Sequence, residues 1–310
     1  TEEFILRNID DDVFYLYRNA PSIIIGKNQN TLSEINYDYI VAHDIPVVRR
    51  QSGGGAVFHD LGNLNFCFIT KYSTKTDVSF ESFTLPILEV LRDLGIDAQF
   101  TGRNDLSIDG KKISGNAQFH FKNRILHHGT LLFSSNITDL SAALKVKPYK
   151  LKKKGIKSVG SRVTNISSHL VAPLTIEQFI QHITDHMKDS ERIQDKYTLS
   201  TADQAKIAKL VHDKYGTWDW NYGKSPKFSI EKVLSFSGGN IEYHLDVTKG
   251  IISSLKIYGD FFGKKDPAEI ELALIGVPHQ KESIEQALHN ISIQEYFAKI
   301  TLTEFIEGLF

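Results

Sequence analysis

The 310 residues carry 36 Lys and Arg against 37 Asp and Glu, a net charge of -1, with 41% hydrophobic and 24% charged residues. That is the balance of an ordinary globular chain able to bury a core, and it excludes an overall attraction to nucleic acid or to a membrane surface, so any anion site must be local. At roughly 150 residues per domain, one large domain with a smaller one attached is expected.

Cys67 is the single cysteine and has no intrachain partner, which points to a reducing cytoplasm. No apolar run approaches the roughly 20 residues of a membrane span, and no signal-peptide core is visible. The chain opens without a methionine and already in helical pattern, so residues upstream are expected to be missing from this numbering.

After that half-helix, residues 13–17 and 22–26 read as strands joined across Arg18-Asn19-Ala20-Pro21, a turn-forming stretch. Thr31 and Glu34 have the spacing of a capping box and predict a helix to about His43. An apolar run, Ile45-Pro46-Val47-Val48, then enters Arg49-Arg50-Gln51-Ser52-Gly53-Gly54-Gly55-Ala56-Val57-Phe58-His59-Asp60. Three successive glycines permit positive φ and bring the backbone close to a ligand, so this loop could lay its N–H groups against an anion, with the two arginines as planar donors. Taken alone, it reads more simply as a glycine-rich hairpin with solvated arginines. Residues 65–70 form the next strand, in which Cys67 reads as a packing residue rather than a nucleophile.

Apolar spacing predicts a helix over residues 83–94, stopped by Gly95, with Pro86 in its first turn where a missing donor costs little. A dense β region follows over 98–101, 104–108, 112–118, 119–121 and 125–133, with turns at Asp109-Gly110 and Lys122-Asn123. Antiparallel hairpins after short helices indicate an α+β domain with a mixed sheet. A short helix is expected over 139–146, then a lysine-rich stretch to Lys157 and a long polar loop through Asn165. Thr175 and Thr201 start two further capped helices, to about Met187 and Tyr215. Residues 218–226, which hold both tryptophans, break the pattern and mark a linker. The expected domains are therefore 1–222 and 227–310, the second a small α+β module with strands over 228–236, 241–247 and 251–258 and helices from Pro267, Glu282, Ile293 and Leu302.

Within the β region stand Gly102-Arg103-Asn104-Asp105-Leu106, Asp109-Gly110-Lys111-Lys112-Ile113-Ser114-Gly115-Asn116-Ala117-Gln118 and His127-His128-Gly129-Thr130. With the glycine loop, Ser161-Arg162-Val163-x-Asn165 and Trp218-x-Trp220-Asn221-x-Gly223, they closely resemble the lipoate–protein ligase A family over essentially the whole chain. The resemblance implies an α+β catalytic domain like that of biotin ligases and class II aminoacyl-tRNA synthetases, with a small α+β C-terminal accessory domain. It also implies a two-step reaction, in which lipoate and ATP give bound lipoyl-AMP and the lipoyl group then passes to a lysine of an apo carrier domain. The implied carriers are 2-oxo acid dehydrogenase subunits and the glycine cleavage H protein. The enzyme would be a cytoplasmic monomer needing Mg2+, with no nucleic-acid or membrane partner.

By the same resemblance the catalytic lysine is Lys112. Arg50, Ser52, Gly53, Gly54 and Gly55 line the lipoate side, with Glu2, Val57, His59, Asn63, Gly115, Ala117 and His128 near the acyl chain or adenylate. Asn104 and Asp105 stand near the phosphate, Asp105 as the Mg2+ ligand, and Ser161, Arg162 and Asn165 belong to the adenylate-covering loop. Gly160 stands where some members have an arginine. Without the motif, Lys112 would be an ordinary surface lysine and Asn104-Asp105 a simple turn. His127 and His128 are adjacent on a strand and so face opposite sides, which argues against a shared metal. The alternatives are ATP-independent transfer of octanoyl or lipoyl groups between carriers, binding of adenylate or carrier without chemistry, and ligation of biotin. The accessory module is expected to swing about residues 218–226, as hinge segments do.

Overall fold

The computed structural model describes residues 1–72, 79–101, 104–144, 162–190, 192, 194–225, 228–237, 239–259, 261 and 263–310. By compactness the chain divides into one unit of Thr1–Lys27 with Glu34–Gly216 and a second of Asn28–Ser33 with Thr217–Phe310.

The first unit begins with α1 (Glu2–Asn8), followed by β1 (Val13–Tyr17), β2 (Ser22–Ile25), α2 (Tyr37–Ala42), β3 (Val47–Arg49), β4 (Val57–His59) and β5 (Asn63–Lys71). Then come α3 (Phe80–Asp93), β6 (Gln99–Thr101), β7 (Asp105–Ile108), β8 (Lys111–Phe121), β9 (Arg124–Leu132) and α4 (Ile137–Ala143). It closes with α5 (Ile176–Asp189) and α6 (Thr201–Leu210), whose last turn widens into a π-helical turn over Val211–Tyr215.

A six-stranded sheet runs β1-β5-β9-β8-β7-β6 with every neighbour antiparallel. The mixed pairing expected from sequence falls instead in a small sheet, β3-β2-β4, where β2 is parallel to β3 and antiparallel to β4. Strands β1 and β2, neighbours in sequence, thus enter different sheets. The large sheet is covered on both faces, which the continuous burial of β5 records. Phe66 and Phe68 pack with Ile87 and Leu91 of α3 and Phe179 and Ile183 of α5, while Cys67 and Ile69 pack with Phe4, Ile5 and Leu6 of α1. On α3 and α5 these side chains recur at four-residue steps, the period of a single buried stripe, whereas the short α1 buries three in a row.

Local rules place most helix ends; a contact distant in sequence overrules one, and neighbouring caps shift two others. Thr31 does not cap a helix: its hydroxyl donates to the Asn221 carbonyl and its N–H to Ser225 Oγ, and α2 starts six residues later under Asn36. The box before α6 is formed by Ser200 and Asp203, one residue ahead of Thr201. Helix α3 starts at Phe80 under Ser79, so Pro86 lies inside it rather than in its first turn. The β7–β8 turn has positive φ at both Asp109 and Gly110, as a two-residue hairpin loop requires.

In the second unit a π-helical turn over Asp219–Gly223 leads to an antiparallel sheet of β10 (Phe228–Phe236), β11 (Gly239–Thr248) and β12 (Ile251–Gly259). Helices α7 (Ala268–Leu274), α8 (Lys281–Leu288), α9 (Ile293–Tyr296) and α10 (Leu302–Glu307) complete it. Alternate residues Ile241, Tyr243, Leu245 and Val247 of β11 meet Ile270, Leu274, Leu288 and Phe305 in its core. Among the described residues no helix is long and apolar enough to cross a membrane.

Candidate active site

A cavity of about 740 Å³ opens within the first unit, between the small sheet, the glycine loop and residues of β8 and β9. Its chemistry is concentrated at two places.

The first is the start of β8. The tight β7–β8 turn returns Lys112 beside Asp105, and the Lys112 Nζ stands 2.8 Å from the Asp105 Oδ1. A Cβ on Gly115 would lie 2.6 Å from that Nζ, so the ammonium lies over the part of the strand that this glycine leaves open. The Lys112 carbonyl accepts from the Thr164 N–H, which joins the segment carrying Arg162 to the same strand. Asn104 and Asn116 clasp each other, each side-chain amide donating to the other's carbonyl, at 2.6 and 3.1 Å. The result is an ammonium on a tight hairpin, partly exposed and paired with one carboxylate.

The second place is the glycine loop, and here the structure corrects the expectation that Arg49 and Arg50 wait for an anion. Arg49 is fully buried and donates to the carbonyls of Gly26 and Lys27. Arg50 donates to Ser52 Oγ and to the carbonyls of Ile24, Gly53 and Gly55. Burial lowers both guanidinium groups to about 10, and each remains charged at neutral pH. The loop curls around its own arginine because a bent backbone turns carbonyls inward that only fixed donors can satisfy. No described residue accepts from the N–H groups of Gly53, Gly54 and Gly55. Gly54 has φ +91°, and a Cβ on Gly26 would come within 2.1 Å of its carbonyl, so the loop closes onto Gly26.

From Arg50 a hydrogen-bonded chain runs along the cavity wall. Ser52 Oγ lies 2.7 Å from His128 Nε2, and His128 Nδ1 lies 2.9 Å from the Glu2 Oε1, which also accepts from the Tyr17 hydroxyl at 3.0 Å. A carboxylate can only accept, so Nδ1 carries a proton, and in a neutral ring Nε2 accepts from Ser52. Burial works to raise the Glu2 carboxyl, but the charge and hydrogen bond of His128 and the Tyr17 hydroxyl outweigh it and hold it below the usual carboxylate range. Glu3 is held low in the same way, burial being offset by Lys214, Tyr215 and Arg7, and Gln51 donates to the Tyr215 hydroxyl. His59 is neutral: burial, with His128 and Arg50 nearby, lowers it to about 3, and Asn19 bonds its Nδ1.

Of the residues anticipated from sequence, the cavity is lined by Glu2, Arg50, Gly54, Gly55, Val57, His59, Asn104, Lys112, Gly115, Ala117 and His128. Ser52 and Asp105 stand one contact behind it, through His128 and Lys112. Gly53 contributes its carbonyl to Arg50 rather than a surface to the cavity. Asn63 is buried and donates to Asn65, and both amide atoms of Asn165 are bonded to the Ser135 backbone, so neither reaches the cavity. Arg162 flanks the bridge to Lys112 without lining it. Ser161, with Gly160 and the lysine-rich stretch, lies outside the described residues. Tyr15, Tyr17, Gln51, Thr130 and Tyr215 line the cavity and were not anticipated. For the two β1 tyrosines a signal existed, since positions two apart on a strand share a face.

His127 points the other way, stacked 4.8 Å from Phe83, and burial, with the charge of His128, lowers it to about 3. No group of three or more His, Cys, Asp or Glu able to hold a metal occurs among the described residues. Cys67 is fully buried and burial pushes its thiol up, so it packs and does not react.

Residues 1–188 match the model of the lipoyl protein ligase A/B catalytic domain, and residues 225–309 that of the bacterial lipoate protein ligase C-terminus. The lipoate-protein ligase LplJ of Bacillus subtilis (strain 168) is 46% identical, covering 100% of this chain and 95% of its own. Among solved structures, a bi-partite lipoate protein ligase from Thermoplasma acidophilum, studied with its E2 lipoyl domain, superposes with a TM-score of 0.64 at 31% identity, over 72% of this chain and 89% of its own. A lipoate-protein ligase A bound with ATP superposes at 0.62 with 28% identity, over 72% of this chain and 92% of its own.

Proposed function

This chain belongs to the lipoyl protein ligase A/B family, and from that premise we propose that it is an ATP-dependent lipoate–protein ligase whose adenylation site is the cavity between Lys112 and the glycine loop. Free lipoate attacks the α-phosphate of ATP, pyrophosphate leaves, and the lipoyl group of the adenylate passes to a lysine of a lipoyl carrier domain. The acyl chain lies over Gly115 and Ala117, where the absence of bulky side chains leaves the strand surface open, and is flanked by Val57 and His128.

The observation that carries this reading is the placement of Lys112. Its ammonium reaches over Gly115 to the cavity wall, opposite the loop of Gly54 and Gly55. At that position it can balance the negative charge that builds on phosphate oxygens in the first step and on the departing AMP in the second. Preorganised charge of this kind is usually the largest catalytic contribution. Asp105 keeps the ammonium in place before nucleotide arrives.

A divalent ion fits this site only in one way. Asp105 supplies a single carboxylate, already paired with Lys112, which suits Mg2+ held mainly by the nucleotide's own phosphates with one protein ligand. Bound there, it would neutralise phosphate charge. Glycine cleavage H protein and 2-oxo acid dehydrogenase subunits are the carriers we assign, and the enzyme acts as a cytoplasmic monomer, a compartment suited to its single buried thiol.

Incubation with lipoate, ATP, Mg2+ and an apo carrier, read by mass spectrometry of the carrier, tests the reading. Lipoylation of one carrier lysine that stops when ATP is omitted is expected. Transfer from an acylated carrier that proceeds without ATP would replace it with the acyltransferase alternative.

A further inference from the structure

Helix α1 brings Glu2 and Glu3 to the cavity, yet it is only 7 residues long and its N-cap, Thr1, makes no side-chain cap hydrogen bond. Isolated helices of that length do not hold themselves together in water. Its far end is held by a residue of another element. Arg124, the first residue of β9, is 5% exposed and directs its guanidinium at the C-terminus of α1. Its Nη1 donates to the carbonyls of Ile9, Leu6 and Ile5, and its Nη2 to the Asp11 carbonyl at 2.7 Å. The Leu6 and Ile9 carbonyls are among those that this helix end leaves without intrahelical partners, while that of Ile5 already accepts from the Ile9 N–H, and a cation is favoured there by the aligned peptide dipoles. The remaining donor, Nε, finds no partner among the described residues. This side chain therefore serves the end of one helix and touches no part of the cavity.

We propose that Arg124 is a positioning residue for the lipoate pocket: by capping α1 it fixes how far that helix extends, and so holds the Glu2 carboxylate against His128 and Tyr17. The proposal rests on the pocket's assignment to lipoate. At about 1.5 Å per residue the two side chains are about 10 Å apart along the helix, so Arg124 cannot act on the ligand or on Glu2 directly. It acts through the axial position of α1. A slip of one turn, about 5.4 Å, would take Glu2 out of reach of His128 and leave the Ser52–His128 chain without its anion.

The test combines Arg124→Gln, Glu2→Gln, the double variant, and Ile183→Ala as a core substitution of the same unit remote from the pocket. Each of the first two is expected to raise the KM for lipoate about tenfold, the effect of one lost charge-assisted contact, with kcat little changed. The double variant should be no worse than Glu2→Gln, although sites this far apart ordinarily add. Amide hydrogen exchange in α1 should quicken in Arg124→Gln and not in Ile183→Ala. A multiplicative rise in the double variant, a silent Glu2→Gln, or α1 exchange unchanged by Arg124→Gln would overturn the inference. Wild-type protein that shows no lipoate-dependent release of pyrophosphate would instead overturn the functional reading, and the exchange measurement would still decide the role of Arg124.

Discussion

Lys112 is the residue on which, in the function we propose, turnover depends. Its ammonium is one unit charge on a flexible stem, placed by a two-residue turn and steadied by Asp105. Lys112→Ala should lower the rate of pyrophosphate release by about 10²-fold or more, the usual loss when a preorganised charge is removed, with lipoate affinity changed far less. Equilibrium binding beside single-turnover kinetics checks this, and a variant that turns over normally would remove the lysine from the mechanism. The two buried histidines make a different statement. His59 and His127 are held near 3, below the roughly 6.5 of an unfolded histidine, so each contributes stability that is complete above pH 6.5 and is lost as pH falls toward 3. The slope is about 1.4 kcal/mol per pH unit for each proton. Urea unfolding at pH 7.5 and pH 5 should therefore differ by on the order of 4 kcal/mol, and His127→Gln should remove about half of that difference. Glu2 and Glu3, held low, add a second loss below about pH 4.5.

At the level of elements the glycine loop is the most exacting part of the molecule, because its shape depends on Arg50 from inside and on Gly26 from outside. Lysine at position 50 keeps the charge but not the fork that serves Ser52, Ile24, Gly53 and Gly55 at once. Arg50→Lys should cost about 3 kcal/mol, from buried carbonyls left unpaired, and weaken lipoate binding as the loop relaxes; thermal unfolding with and without lipoate measures both. Gly26→Ala would place a methyl group 2.1 Å from the Gly54 carbonyl. Backbone cannot yield as a side-chain tip does, so a loss of about 1–3 kcal/mol is expected, again read by thermal unfolding. In the second unit Gly250 faces a similar constraint, since a Cβ there would meet the Trp218 ring at 2.5 Å on a backbone with φ +74°. Loop and turn chemistry of this kind was partly legible beforehand, since glycine and Asp-Gly mark where the chain must bend, but not which group the bend would face.

At the scale of the whole molecule, features set by near neighbours in the chain separate from features set by residues far apart in it. Strands β5 and β9, helix α5 with its Thr175–Gln178 box, and the Asp109-Gly110 turn follow from neighbours within a few residues and are readable in the sequence, whereas β8, split there between Gln118 and Phe119, is one continuous strand. Thr31 misled because its hydroxyl answers to Asn221, 190 positions away, and not to the helix its spacing suggested. Arg49 and Arg50 misled for a related reason: the cheapest partners for a buried guanidinium were carbonyls of its own loop. Asn165, read as a ligand contact, is committed to the Ser135 backbone. The amino-acid order by itself determined the period and ends of most elements, the glycine-rich bend and the family to which its motifs point, because these depend on local dihedral preferences and on short-range alternation of apolar residues. Only the tertiary structure decided that Tyr17, Glu2, His128 and Ser52 form one chain, that Arg50 braces the glycine loop while lining the cavity, and that Arg124 caps the end of α1. A polar group spends its hydrogen bonds on whatever the packed fold brings within about 3 Å, and that choice is made by distance in space, which residue order along the chain does not encode.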